Sequence, residues 1–221
     1  MDVSWTDTWK LRSELYAFFG NSLLKVMAEQ SAVGLDPAFW EGFPLEAADG
    51  HLRSGLDGLV ACARGLAASD RTKALEQVGV EYTRLFVGPG RPAAPPWETL
   101  YREGGTVLFG QPTFEMRQLF AREGVRAGAD SHQFEDHLGF ELLYLGVRGA
   151  AFADAPPTAE QVVEIKGFIE THPLSFIERL LDAAREAATV GYYPALIELV
   201  WGYLLWDLAL LDEWAEAAIR A

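Results

Sequence analysis

The fold depends on residues 134–145, which read Phe-Glu-Asp-His-Leu-Gly-Phe-Glu-Leu-Leu-Tyr-Leu. On a helix with about 3.6 residues per turn, one apolar stripe is formed by Phe134, Leu138, Leu142 and Leu145. Much of the opposite side is covered by Phe140, Leu143 and Val147. A helix that is apolar around most of its circumference is usually packed by neighbours on several sides. We therefore predict that this segment forms a central helix.

A polar stripe lies directly beside the apolar one and consists of His137, Glu141, Tyr144 and Arg148. Polar side chains in such a place need partners, because a buried donor or charge without one costs several kcal/mol. Two interpretations remain open. Either His137 and Glu141 bond to each other across one helical turn, or the N-terminal end of this helix is a functional site.

Length and charge restrict the function. At 221 residues and 50% hydrophobic composition the chain can bury a substantial core, and we expect one domain over residues 1–221. The formal charge of -14 argues against binding to nucleic acid or to anionic membranes and suits a cationic partner.

Features of export and membrane insertion are absent from the sequence. A single cysteine, Cys62, excludes an intramolecular disulfide and fits a reducing compartment. The N-terminus lacks a basic segment followed by an apolar run, so it does not read as a secretory signal. The most apolar segment, residues 195–211, contains Glu198 and Asp207 and is short for a membrane span. We expect a cytoplasmic protein without stable membrane insertion.

Helical spacing recurs along the chain. It predicts further helices at about residues 6–29, 37–40, 45–68, 71–86, 112 onward, 158–167, 175–188 and 193–219. We expect Asp70 and Thr158 to cap the helices that begin there. In the helix that starts near Pro112, we expect Phe114, Leu119 and Phe120 to pack inward. No run of alternating β-branched residues occurs, so the predicted class is all-α. The pattern breaks at a proline-rich loop, residues 88–97, and at a possible hinge, residues 124–131.

Catalytic and metal motifs are missing. The sequence contains no P-loop, no Gly-x-Ser-x-Gly elbow, no Cys-x-x-Cys pair and no Glu-x-x-His repeat. We therefore expect no enzymatic activity, no metal and no cofactor. The alternative is a small metal- or cofactor-binding helical enzyme that uses the stripe of His137 and Glu141.

Three segments resemble one family over nearly the whole chain. Residues 81–90, 95–101 and 135–141 are similar to the motifs of the TorD/DmsD family of redox-enzyme maturation chaperones. Thr99 departs from the pattern, in which serine is more usual, but it keeps the hydroxyl group.

The resemblance implies a single-domain helical bundle of the TorD/DmsD type that is cytosolic, has no enzymatic activity, and acts as a monomer or homodimer. Such proteins bind the twin-arginine signal peptide of a molybdopterin oxidoreductase and hold the precursor back from export until its cofactor is inserted. Some members have been proposed to bind guanine nucleotide, for which this sequence offers no phosphate site. The family's peptide-binding region corresponds to Asp136, His137 and Trp97, with Glu98, Tyr101 and Glu141 as further candidates.

The chemistry of these residues agrees with such a ligand. Carboxylates pair with guanidinium groups through two parallel hydrogen bonds, and aromatic side chains accept the apolar part of a signal peptide. We expect Asp136 and His137 to serve binding more than folding, and Glu141 to serve stability if it pairs with His137.

Overall fold

The computed structural model describes residues 5–45, 50–102, 108–127 and 133–220. Most of the described residues lie in helices. The described residues contain no β-strand, only an isolated antiparallel bridge between Trp97 and His137. The prediction of an all-α fold is confirmed.

The α-helices in chain order are α1 (Trp5–Leu24), α2 (Pro37–Glu41), α3 (Gly50–Ala67), α4 (Arg71–Tyr82), α5 (Gln111–Arg122), α6 (Leu138–Asp154), α7 (Ala159–Thr171), α8 (Pro173–Ala187) and α9 (Tyr192–Arg220). Short 3₁₀ segments cover Glu29–Leu35 and Glu98–Leu100. A π-helical turn, Thr83–Val87, continues α4. Turns of this kind are rare and often accompany functional segments.

The chain forms two compact units. Unit 1 consists of Met1–Lys25, Pro96–Phe176 and Leu208–Ala221, and unit 2 consists of Val26–Pro95 and Ile177–Asp207. One domain over residues 1–221 stays a prediction.

Unit 1 is built on the contact between α1 and α6. A side chain at Gly20 would lie 2.6 Å from the carbonyl oxygen of Gly139, so the two helix backbones touch there. Ser13 donates a hydrogen bond of 2.8 Å to the carbonyl of Gly146 and ties the helices together further along. The apolar stripe of α6 is buried, including Leu138, Leu142 and Leu145. The prediction of a central helix is confirmed within this unit.

Unit 2 is organised by the carboxylate of Glu81, which is fully buried in α4. One oxygen accepts hydrogen bonds from the backbone N–H groups of Thr189, Val190 and Gly191 at 2.6–2.9 Å, and the other accepts from Tyr193 at 3.0 Å. These donors lie before and in the first turn of α9, where backbone N–H groups lack helical partners. Glu81 therefore caps a helix from outside it.

Several predicted helix ends are confirmed and others are wrong. Asp70 caps α4 by accepting from the N–H of Thr72, and Thr158 forms a capping box with Gln161 at the start of α7. The first helix ends at residue 24, five residues before the predicted end, and a separate 3₁₀ segment begins at residue 29. Of the possible hinge at 124–131, residues 128–131 lie outside the described part, so the hinge stays a prediction.

Within the part of the chain that the structure describes, one helix has the length and composition of a membrane span. Residues 192–214 of α9 have a mean hydropathy of 1.5, and 56% of the stretch is buried in the protein. Core helices of soluble proteins share these properties.

Glu81→Gln is expected to destabilise the protein by about 3 kcal/mol, because the amide group places a donor against a buried N–H donor. The free energy of unfolding in urea measures this. Glu76→Gln, an exposed change on the same helix, is the control. Equal stability of the two variants would contradict the capping role.

Candidate functional site

The segment after the proline-rich loop is fixed against the start of α6. The N–H of Leu138 donates to the carbonyl of Pro96 at 2.8 Å, and the N–H of Glu98 donates to the carbonyl of Asp136 at 2.9 Å. The two bonds flank the bridge between Trp97 and His137. The backbone therefore holds Trp97 in one place.

Asp136 is fully buried, and three donors converge on its carboxylate. One oxygen accepts from the N–H of Thr99 at 3.0 Å and from its hydroxyl at 2.5 Å. The other oxygen accepts from the hydroxyl of Thr113, in the first turn of α5, at 2.9 Å. Thr99 replaces the serine that is more usual in the family, and its hydroxyl group makes this hydrogen bond. These bonds give Asp136 a role in folding, while a role in ligand binding stays a prediction.

His137 caps α6 and does not lie inside it. Its backbone is extended, with φ -73° and ψ 132°, and its Nδ1 accepts from the N–H of Gly139 at 2.9 Å. Burial lowers the pKa of His137 to about 3, so the ring is neutral at physiological pH. The proton then lies on Nε2, which has no hydrogen-bond partner among the described residues. The predicted helix start near residue 134 is wrong, because the backbone of Asp136 bonds to Glu98 instead.

Glu98 is fully buried within a set of donors. One of its oxygens lies 2.8 Å from Nε of Arg102, and the other lies 2.8 Å from Nδ1 of His172. The hydroxyl of Ser175 donates to the first oxygen at 3.5 Å. Arg102 also pairs with Glu115 at 3.4 Å. Both carboxylate oxygens of Glu98 are therefore engaged within the chain.

Glu141 is buried, and neither of its oxygens receives a hydrogen bond from an N–H or O–H group in the described part of the chain. Burial, followed by the charges of Glu98 and Asp136, raises the pKa of Glu141 well above its ordinary value of 4.5. A carboxyl group that keeps its proton can donate to Glu98, which two ionised carboxylates cannot do. The interpretation that Glu141 pairs with His137 is wrong, since Nδ1 of His137 is bonded to Gly139 and its Nε2 has no described partner.

Three side chains with atoms that can ligate a metal lie close together, but they are not the pair of His137 and Glu141 that the sequence suggested. Atoms of Glu98, Glu141 and His172 lie within 4.8 Å of one another, and His137 is not among them. Arg102 already places a positive charge at this group, which opposes the entry of a metal cation. The absence of a metal and of a cofactor stays a prediction.

Trp97 belongs to an aromatic face formed by Trp97, Phe109, Phe114 and Phe134. Ring centroids lie 6.1 Å apart for Trp97 and Phe134, 5.7 Å for Phe109 and Phe134, and 4.9 Å for Phe109 and Phe114. Trp97 and Phe134 are half-buried, while Phe114 is 49% exposed and Phe109 is 36% exposed. The prediction that Phe114 packs inward is therefore wrong. Tyr101 stands apart from this face and stacks on Phe176 at 5.5 Å.

Phe109 adopts an unusual backbone conformation. Its φ is 76°, in the left-handed region that a bulky residue occupies at a cost of about 1–3 kcal/mol. The conformation places the ring against Phe114 and Phe134. The sequence analysis missed Phe109, because a residue type alone carries no signal for a positive φ.

Asp136→Asn is expected to lower the free energy of unfolding by about 2–3 kcal/mol, because the amide group turns a donor toward the donors of Thr99 or Thr113. Urea unfolding measures the change. Asp182→Asn, an exposed change in α8, should leave stability unaltered. An Asp136→Asn protein as stable as the wild type would refute the folding role.

Glu141→Gln is expected to stabilise the protein relative to the wild type more at about pH 8 than at about pH 5. A raised pKa means that the folded state binds a proton more tightly than the unfolded state, so stability is lost as the pH rises through the folded pKa. Glutamine mimics the protonated carboxyl group and removes this loss. Melting temperatures at the two pH values measure the effect, with Glu170→Gln as the exposed control. A pH-independent difference would show that Glu141 titrates normally.

Comparison with known proteins shows which family the chain resembles. A family model described as nitrate reductase delta subunit matches residues 46–182. The chain is 25% identical to the chaperone protein TorD of Vibrio cholerae over 206 residues, 91% of this chain and 92% of that one. It is 24% identical to the chaperone protein TorD of a Psychrobacter species over 221 residues, 96% and 97% of the two chains. It is 33% identical to the Tat proofreading chaperone DmsD of Salmonella typhi over 137 residues, 61% and 62%.

The family model covers more than half of the chain, and the TorD relatives match it nearly end to end. The relatives are named as chaperones and not as enzymes. This protein is therefore a non-enzymatic member of the TorD/DmsD family of redox-enzyme maturation chaperones.

Proposed function

We propose that this chaperone binds the twin-arginine signal peptide of the precursor of a molybdopterin-dependent oxidoreductase in the cytoplasm. It acts there as a monomer or homodimer and assists maturation of the precursor before export. Membership in the TorD/DmsD family supports this function. The name of the Salmonella relative, a Tat proofreading chaperone, points to the same export route.

The observation that carries the proposal is the aromatic face, which lies next to the carboxylate of Glu135. Phe109 and Phe114 are exposed, and Leu108 next to them is 50% exposed. Exposed apolar groups that lie together commonly mark interaction sites. Glu135 directly follows Phe134 in the chain and is partly exposed, so an apolar surface and a carboxylate meet here. A ligand with arginines followed by apolar residues has the complementary character.

The six residues predicted to bind the peptide take different parts in this proposal. Asp136, His137, Glu98 and Glu141 have no exposed surface, so they act by positioning the segment that carries Trp97. Trp97 is half-buried and takes part in the aromatic face. Tyr101 is half-buried and holds its segment to α8 through Phe176. Direct contact with the peptide then falls to Trp97 and to exposed neighbours that the sequence did not predict.

Two grooves in the described part of the chain suit different parts of a ligand. In unit 1, a groove of about 360 Å³ between α1, α5 and α6 is lined by apolar groups such as Phe140 and Leu143, together with Arg126. In unit 2, a groove of about 660 Å³ is lined by Arg84, Arg91 and one acid, Glu76, among other residues. Two arginines against one carboxylate disfavour an arginine ligand. The first groove suits an apolar segment, and the carboxylate of Glu135 beside the aromatic face suits an arginine.

Binding energies show why the arginines matter. Micromolar affinity requires about -8 kcal/mol. Burial of three or four apolar side chains contributes roughly 1.5–3 kcal/mol each. Ordering of a flexible peptide removes about 2–5 kcal/mol or more. The apolar segment alone is therefore insufficient at the lower end of this range, and ionic contacts supply the remainder.

A synthetic twin-arginine signal peptide is expected to bind the purified protein, and changing both arginines to alanine should weaken binding about tenfold or more. Changing both to lysine should give an intermediate loss, because an ammonium group keeps the charge but not the two-bond geometry. Isothermal titration calorimetry measures all three affinities. Equal affinity for the arginine and alanine peptides would overturn the proposed recognition of arginine.

A further inference from the structure

An arginine of the chain itself lies on the aromatic face. Arg117, on the outer side of α5, has its guanidinium group 4.5 Å from the centre of the Phe109 ring. Its Nε lies 2.6 Å from one carboxylate oxygen of Glu135. The guanidinium group therefore lies on an aromatic ring and against a carboxylate at once. Stacking and ion pairing together are a typical mode of arginine recognition.

The ring of Phe109 is a prepared platform. The positive φ of Phe109 sets the direction of its side chain, and the rings of Phe114 and Phe134 both pack edge-on against its ring. A rigid ring loses little conformational freedom when a ligand stacks on it.

One carboxylate oxygen of Glu135 accepts no hydrogen bond from the described residues. Arg117 bonds to one carboxylate oxygen, and the other oxygen is buried without a hydrogen-bond partner among the described residues. A carboxylate can accept two parallel hydrogen bonds from one guanidinium group. The internal pair uses half of that capacity, so another arginine in a better position would form the stronger interaction.

We propose that Phe109 and Glu135 form a guanidinium slot, which Arg117 fills in the unbound chaperone and which an arginine of the peptide ligand takes over on binding. The identity of the ligand rests on the proposed function. The slot adds Glu135 as a residue that contacts ligand, outside the six that the sequence predicted, and makes Arg117 its internal competitor.

A ligand arginine can displace Arg117 from Glu135 more easily than it can displace Arg102 from Glu98, because the Arg117 pair is the more exposed of the two. The side chain of Arg117 is 44% exposed and can move into water when it leaves Glu135. Glu98, in contrast, is fully buried between Arg102 and His172. A ligand that displaced Arg102 would have to reach an interior carboxylate whose oxygens are already bonded.

The test changes Glu135 and Arg117 one at a time. A slot predicts opposite changes in peptide affinity for the two variants, whereas a structural ion pair does not. Glu135→Gln should weaken binding of the twin-arginine signal peptide about tenfold, equivalent to about 1.4 kcal/mol. Arg117→Gln should tighten binding about threefold, since it removes the competitor and leaves the carboxylate. If both variants shift the affinity in the same direction, or neither shifts it, the slot is refuted.

A matched pair in unit 2 gives the control. Arg64 and Glu41 lie 2.6 Å apart and are exposed, as an ordinary surface pair is. Arg64→Gln and Glu41→Gln should leave peptide affinity unchanged. A shift like that of the slot variants would mean that net charge, and not the slot, governs binding.

A second assay separates the slot from the proposed function. N-acetyl-arginine amide, titrated into Arg117→Ala, should give a saturable change in Trp fluorescence or in NMR shifts. The change should disappear in the double variant Arg117→Ala/Glu135→Gln. A wild-type protein that binds no signal peptide would refute the proposed function, while this assay still decides the slot. No saturable binding to Arg117→Ala refutes the slot even where the signal peptide binds.

Discussion

The site depends on the requirement that the buried carboxylate of Asp136 be fully bonded. An ionised group removed from water costs several kcal/mol unless donors replace the lost hydration. The donors come from Thr99 and from Thr113 in the first turn of α5, so the carboxylate joins two segments that are distant in sequence. The backbone of Asp136 also accepts from Glu98. The position of Trp97, the start of α5 and the start of α6 are therefore consequences of one interaction, and unit 2 uses Glu81 in the same way.

Local patterns in the sequence predicted most of the helices. Apolar spacing located the central helix, and the caps at Asp70 and Thr158 lie where the residue types indicated. These signals act within a few residues, so they can be read directly. The start of α6 could not be read in this way, because residues 134–137 continue the helical spacing while the backbone of Asp136 bonds to a segment nearly forty residues earlier. The pairing of His137 with Glu141 failed for the same reason, since i, i+4 neighbours meet only where both residues are helical.

The candidate site was predictable only in part. The motifs lie in two segments that the structure brings together, so that Trp97, Glu98, Asp136 and His137 occupy one region of unit 1. Whether that region binds the peptide stays a prediction. They did not separate buried residues from accessible ones. Phe114 follows the spacing of a core residue and is nevertheless exposed, because apolar spacing is the same for a core and for a binding surface. Glu135 and Phe109 gave no signal, since their roles depend on a neighbour in α5 and on a backbone angle.

Burial separates the acidic residues of this site into interior and surface groups. It lowers the pKa of His137 to about 3 and raises the pKa of Glu141, so it favours the neutral form of both side chains. The other two buried carboxylates, those of Glu98 and Asp136, are held by donors within the chain. A carboxylate removed from water needs such donors to replace its lost hydration, so these two groups are committed to the fold. Glu135 is partly exposed and bonds to Arg117 through one oxygen alone. In the proposed function, Glu135 is therefore the carboxylate that a ligand can reach, and the buried acids fix its surroundings.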